Sequence, residues 1–322
     1  MAYTKLADLA IVPETFQRYA LEKAVETSAF FRSGIVAQAG GVEMPTNGTT
    51  TNMPFYTDLS GEAEILSDSA GLTVNSISSK NMRAAIHFQG KAFGSNDLVG
   101  WLSGADPMAN MVNGVGEFWA RQFNRVAIAS AKGAIAAGGE GVAYVDVSDA
   151  AGAAANIAGA ALLDTQQLLG DHQDKIAGYV MHSAVRNFLR KTDIANFEQV
   201  RGSDQTLTET YFGKPIIVDD TLAATAGVYT TYAFAGGALA FADGTPAQVA
   251  LETDRDKLTG NDLFTTRARY VLHVNGYDFN PDGGADMEKI SPSTAELASA
   301  AKWNLKVNAK NQGVVALLHK IA

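Results

Sequence analysis

Apolar positions recur along this chain in two rhythms, and the more regular one is helical. Met108, Met111, Val112, Val115, Trp119, Phe123 and Val126 fall three or four residues apart, the spacing that gathers side chains on one face of a helix. Asp106 precedes them as an N-cap, and Pro107 stands where the first turn needs no amide donor. The run continues through Ala137 and meets Gly138-Gly139, which stops it. The pattern predicts a single helix about 45 Å long at ~1.5 Å per residue. Gly114, Gly116 and Gly133 weaken it and permit a bend. A second helical run follows Pro13, with Phe16, Tyr19, Ala20, Lys23 and Ala24 in step, and ends at Phe30 to Gly34. Its aromatics have little beside them in sequence to fold against, so it is expected to dock elsewhere.

The other rhythm is that of strands. Val74, Ile77, Met82, Ile86 and Phe88 place one across 73–90, and Arg267 to Val274 alternates β-favouring residues. Shorter strands are expected at Ile176–Met181, at Pro215–Val218 stopping on Asp219-Asp220, across Thr230–Phe241 with Gly236-Gly237 interrupting, and at Gly313–Leu318. Helices are expected over Ala153–Leu169, from a Ser183 cap to Arg190, and from the Ser293…Glu296 capping box to about Trp303. The section from Val142 to about Leu251 alternates helix and strand, as an α/β unit inserted between two parts of another domain would. Gly40 to Gly71 is rich in Gly, Thr, Asn and Pro, yet it keeps Met53, Phe55, Tyr56, Ile65 and Leu66. Those apolar residues argue against disorder, so the segment reads as an extended β-hairpin whose partner lies outside its own core.

Composition narrows the function. The 322 residues are 47% apolar and only 18% charged, below the usual quarter. Either an Ala- and Gly-rich sequence or a surface that rests against neighbours accounts for this. A net charge of −9 without basic runs excludes a protein that coats nucleic acid, because phosphate neutralisation needs clustered Lys and Arg. A container around nucleic acid stays compatible. The absence of cysteine excludes disulfides and thiolate chemistry and suits synthesis in a reducing compartment. Neither a signal-peptide pattern nor a membrane-length apolar run is present, so a soluble chain with no membrane partner is expected.

The sequence holds no nucleophile elbow, zinc helix or phosphate loop. Asp254-Arg255-Asp256 with Asn261-Asp262 hints at calcium, but Leu258 stands where an oxygen ligand belongs. His87, His172, His182, His273 and His319 are scattered singly; His172 and His182 flank a predicted strand without a third ligand. Asp219-Asp220 at a strand end is the best catalytic lookalike, with a turn-forming role as the simpler reading. No catalytic, cofactor or metal residues are assigned.

Arm, hairpin, long helix, inserted α/β unit and returning strand together resemble the major capsid proteins of tailed double-stranded-DNA bacteriophages, which have the Hong Kong 97-type fold. The likeness spans nearly the whole chain. It rests on Pro13-Glu14-Thr15-Phe16 through Ser33-Gly34-Ile35-Val36, on Gly213-Lys214-Pro215-Ile216-Ile217-Val218-Asp219-Asp220, and on Gly236-Gly237-Ala238-Leu239-Ala240. His273-Val274-Asn275-Gly276-Tyr277-Asp278-Phe279 and Ser291-Pro292-Ser293-Thr294-Ala295-Glu296-Leu297 to Trp303-Asn304 complete it.

The resemblance implies an α+β subunit with an N-terminal arm at 1–40 and an extended loop at 41–90. A peripheral domain with the spine helix would follow at 91–150, an axial domain at 151–255, and a return to the peripheral domain at 256–322. It implies a non-enzymatic structural protein without cofactors that joins copies of itself as pentamers and hexamers. The resulting icosahedral head would enclose double-stranded DNA without sequence-specific binding. Portal and scaffolding or decoration proteins would be further partners, with assembly in the host bacterial cytoplasm and residence in the virion. One inter-subunit contact is expected between acidic hairpin residues Asp58, Glu62, Glu64 and Asp68 of one copy and Arg121, Arg125 and Lys132 on the spine helix of the next. The simpler reading pairs Glu117 with Arg121 inside the helix. An encapsulin-like nanocompartment of the same fold, and an α/β enzyme using Asp219 or Asp220, are the alternatives.

Overall fold

The computed structural model describes residues 30, 33–38, 44, 48–57, 62–65, 72, 74, 76–97, 107–201, 207–244, 251–256, 258–281 and 291–321. The expected first helix, apart from Phe30, lies outside them, as does Asp106. In chain order the strands begin with β1 (Val36–Gln38), β2 (Thr50–Tyr56) and β3 (Ser79–Asn96). The helix α1 (Pro107–Gly138) comes next, followed by β4 (Tyr144–Asp146), α2 (Gly159–Gln167), β5 (Ile176–Met181) and α3 (Ser183–Thr192). Then come β6 (Phe197–Arg201), β7 (Leu207–Tyr211), β8 (Lys214–Val218), β9 (Tyr229–Ala235) and β10 (Leu239–Gly244). The chain closes with β11 (Leu251–Asp256), β12 (Asn261–Val274), β13 (Tyr277–Phe279), β14 (Trp303–Leu305) and β15 (Val314–His319). This is an α+β fold.

Two sheets organise it. The six-stranded sheet runs β1-β10-β12-β3-β2 with β11 also on β12, and the seven-stranded sheet runs β4-β15-β9-β5-β8-β7-β6. Helix α1 lies on the first through Trp119, Phe123 and Tyr270; the Phe123 and Tyr270 rings meet edge-on at 4.7 Å. The Trp119 indole donates to Thr266 Oγ1 at 3.0 Å. Its 32 residues match the expected helix, because an uninterrupted apolar face and a double-glycine stop are both local signals. Gly133 marks a close approach: a Cβ there would lie 2.0 Å from the Leu297 carbonyl oxygen and 2.5 Å from the Trp303 indole nitrogen.

Other expectations are corrected by long-range contacts. The helix expected over Ala153–Leu169 is broken, because Ala155 and Ile157 exchange backbone hydrogen bonds with Lys320 at 2.7 and 3.2 Å. The α3 cap is His182, whose Nδ1 accepts from the Ala184 amide at 3.0 Å, and not Ser183. The Ser293–Glu296 capping box forms, but its helix ends at Leu297. Trp303 is drawn into β14, donating from its indole to the Leu297 carbonyl at 2.7 Å and packing on Phe279.

The expected strand across Thr230–Phe241 becomes two strands in different sheets, β9 and β10, parted at Gly236-Gly237, where Gly237 takes φ +67. The stretch 256–322 also divides. Strand β12 belongs to the six-stranded sheet and β13 and β14 pair as a two-stranded sheet of their own, whereas β15 enters the seven-stranded sheet between β4 and β9. Its run is apolar on both faces, with Val314 and Ala316 in the core shared with α1 and Val315 and Leu317 in the core under α2 and α3. A strand buried on both faces belongs inside a sheet.

Candidate assembly surfaces

The role implied by the sequence resemblance would be played by the surface, so the relevant residues are those that the two cores leave outside. Strand β3 pairs with β12 from Asn96 to Ile86 and with β2 from Ala85 to Ser79. Past Ile86, β2 and β3 therefore form a two-stranded ribbon. Beyond the ribbon the exposed apolar residues Ile65 and Val74 are 95% and 94% accessible, an exposure that a free chain does not favour. Glu62 and Glu64 are exposed on the same segment. Asp58 and Asp68 lie outside the described residues.

Helix α1 buries Val115, Trp119, Phe123, Val126 and Ala127 and turns Glu117, Arg121, Arg125 and Lys132 to the surface. Residues four apart on a helix share a face, which is why the sequence spacing made the basic group legible. Among the described residues no ion pair joins Glu117 to Arg121 within 4 Å, and none engages Arg125 or Lys132. The structure thus groups these basic residues on one exposed face. It does not bring Glu62 or Glu64 of the same chain to them.

One charged cluster escaped the sequence reading. Asp278 in β13 is 5% exposed and takes both Arg83, at 3.1 Å, and Lys306, at 3.8 Å. Burial raises its pKa, but hydrogen bonds from Arg83 and the charges of Arg83 and Lys306 outweigh that and hold the carboxyl below the usual range. A signal was present: an acid between Tyr277 and Phe279 in an apolar strand needs a partner.

The residues weighed for chemistry fall into structural roles. Asp219 Oδ1 accepts from the Thr221 amide and hydroxyl at 2.8 and 2.6 Å, a turn of the ordinary Asx kind. Asp220 accepts from the Ser183 amide at 3.1 Å and stands 3.7 Å from His182 Nε2, with its pKa lowered chiefly by Ser183. Asp256 accepts from the Leu258 amide and the Thr259 hydroxyl, and Arg255 pairs with Asp97 and Asp262. These bonds engage both carboxylate oxygens of Asp256 and one of Asp262. His172 Nδ1 meets the Lys310 carbonyl at 3.0 Å, whereas His182 Nδ1 accepts from the Ala184 amide. Among the described residues no three metal-binding side chains converge.

Comparison with known proteins places this geometry. Residues 101–315 match the family model of the Gp13-like major capsid proteins, described as "Major capsid protein 13-like". The major capsid protein of Bacillus phage SPP1 is 34% identical over 338 aligned positions, covering 100% of this chain and 99% of that relative. Among solved structures, the capsid of Ralstonia phage GP4 superposes with a TM-score of 0.59 at 9% identity, covering 92% of each chain. The head structure of Helicobacter pylori bacteriophage KHP40 gives 0.56 at 9% identity, covering 92% of this chain and 91% of that one. At such identities the likeness is one of fold, and the fold is that of the Hong Kong 97-type capsid proteins.

Proposed function

Because the chain belongs to the Gp13-like family of major capsid proteins, we propose that its exposed surfaces are assembly surfaces and that it works without a catalytic step. It is a major capsid protein of a tailed phage and forms icosahedral capsids. The match along the full length of the SPP1 major capsid protein carries this reading. The nanocompartment and enzyme alternatives are not what the matches favour.

In this reading the seven-stranded sheet with α2 and α3 supplies the axial part of the subunit. The six-stranded sheet with α1 supplies the peripheral part, and the β2–β3 hairpin reaches a neighbouring copy. Rings of five and six copies need heterologous contacts, in which one patch of a subunit meets a different patch of the next. The acidic hairpin residues Asp58, Glu62, Glu64 and Asp68 and the basic residues Arg121, Arg125 and Lys132 form such a complementary pair. Portal, scaffolding and decoration proteins are the further partners, and the enclosed double-stranded DNA is held without sequence reading by an acidic chain. Assembly takes place in the host cytoplasm.

Negative-stain electron microscopy of the purified protein, alone and with the products of its neighbouring genes, tests the reading. Closed icosahedral particles are expected, and nucleic acid inside particles from infected cells separates a genome shell from a cargo shell. Monomers under every condition would overturn it.

A further inference from the structure

The β2–β3 ribbon leaves the six-stranded sheet at a definable point. The ladder between β3 and β12 ends at the Ile86–Val271 pair, so the edge of β3 that faced β12 loses its strand partner just beyond. At that point a side chain takes the strand's place. Arg83 donates its backbone amide to Asp278 Oδ1 at 2.8 Å, and its guanidinium closes on the same carboxylate, Nε to Oδ1 at 3.2 Å and Nη2 to Oδ2 at 3.1 Å. Asp278 is itself immobilised. Its neighbours Tyr277 and Phe279 are buried, and β13 is paired to β14 through Phe279–Trp303 and Tyr277–Leu305.

A single hydrogen bond would leave the ribbon free to swing. Here the amide bond fixes where the strand passes, and the planar fork fixes its rotation, because a guanidinium meets a carboxylate bidentately in one plane. Leverage makes this matter. Over the ~13 Å from Arg83 to Ser79, at ~3.3 Å per residue, a swing of about 10° already moves the strand by about 2 Å.

We propose that Asp278 is a positioning residue that sets the direction of the β2–β3 hairpin through Arg83, and thereby presents the hairpin to the neighbouring subunit. The second half rests on the hairpin contact proposed above; the first does not.

The test uses the absence of native cysteine. Spin labels on Ile65→Cys and Lys191→Cys report the distance from hairpin to body in the full-length subunit, with and without Asp278→Asn. The distance distribution should broaden at least twofold in D278N while the unfolding midpoint stays close to that of the parent. Closed particles should drop at least tenfold. An unchanged distribution would overturn the proposal. A broadened distribution with a normal particle yield would uphold the anchor and overturn the hairpin contact instead. Should D278N fail to fold, Arg83→Gln keeps the amide bond and the Lys306 pairing of Asp278. It is read by the same two measurements with the same meanings, and R83K should restore part of the particle yield.

Discussion

The His87 imidazole lies against the Tyr270 ring, centroids 5.1 Å apart and planes within 26°, as directly paired residues of the antiparallel strands β3 and β12. Burial pushes its pKa down to about 4, with nearby His273 adding to the effect and the Leu272 backbone opposing it. His273 and His319 are likewise held near 4 by burial. All three fold neutral and would charge in the unfolded chain at about 6.5. Their contribution is complete above that pH and is lost as pH falls from about 6.5 towards 4, because the unfolded state then binds more protons. Each costs on the order of 1 kcal/mol per pH unit within that window. Urea midpoints at pH 7, 5.5 and 4.5 should fall steadily, and His87→Phe should flatten part of the slope. A midpoint independent of pH over this range would refute the assignment.

Two glycines of the same helix should respond oppositely to alanine. Among the described residues a Cβ at Gly114 meets nothing within 4 Å, whereas one at Gly133 overlaps the Leu297 carbonyl and the Trp303 indole. Gly114→Ala should therefore stabilise by roughly 0.5–1 kcal/mol, the intrinsic helix preference. Gly133→Ala gains the same preference but must push away the turn at Thr294–Leu297, and a net loss of about 2 kcal/mol or more is expected from such overpacking. Denaturation midpoints of the two variants check the contrast.

Gln312 should be intolerant of an apolar replacement. Its buried amide donates to the Val142 carbonyl at 2.5 Å and accepts from the Tyr277 hydroxyl at 3.0 Å. It thereby ties the connection before β4 and the connection before β15 to β13. Gln312→Leu keeps much of the volume but strips the buried Tyr277 hydroxyl of its acceptor, at about 1–3 kcal/mol, and takes the donor from the more exposed Val142 carbonyl. Calorimetry should show a lowered transition, and Gln312→Glu should not restore it near neutral pH, because the charged form cannot donate to Val142.

How legible each of these features was depended on how local its cause is. The spine helix could be read because Pro107, the apolar face from Val115 to Val126 and the Gly138-Gly139 stop all act within a few turns. The break at Gly236-Gly237 was legible too, but the placing of β9 and β10 in different sheets was not, since a strand has the same period on either side of the break and which sheet each half joins is decided by β15 and β12 far along the chain. Strands β6, β7 and β11 were missed because Phe197-Glu198-Gln199-Val200-Arg201, Leu207-Thr208-Glu209-Thr210-Tyr211 and Leu251-Glu252-Thr253-Asp254-Arg255-Asp256 are largely polar. Polar edge and near-edge strands carry little of the alternation that betrays a half-buried one. The basic group on α1 was visible as spacing alone. The Arg83–Asp278 anchor was not, because its partners stand 195 residues apart.

The last prediction concerns Arg125. It is exposed on α1 one turn beyond Arg121, so replacing it breaks no ion pair among the described residues and should leave stability within about 0.5 kcal/mol. If the acidic hairpin of a neighbour lies over this face, Arg125→Glu sets a like charge against Glu62 and Glu64. A single exposed pair contributes only about 0–1 kcal/mol, but the contact recurs in every copy around a closed shell, so a small penalty per contact multiplies through assembly. Particle yield should then collapse while the monomeric subunit melts normally. A hairpin carrying Glu62→Lys and Glu64→Lys should partly restore R125E, which distinguishes pairing between these groups from a general effect of net charge. Normal particles from R125E would show that this face meets no acidic partner.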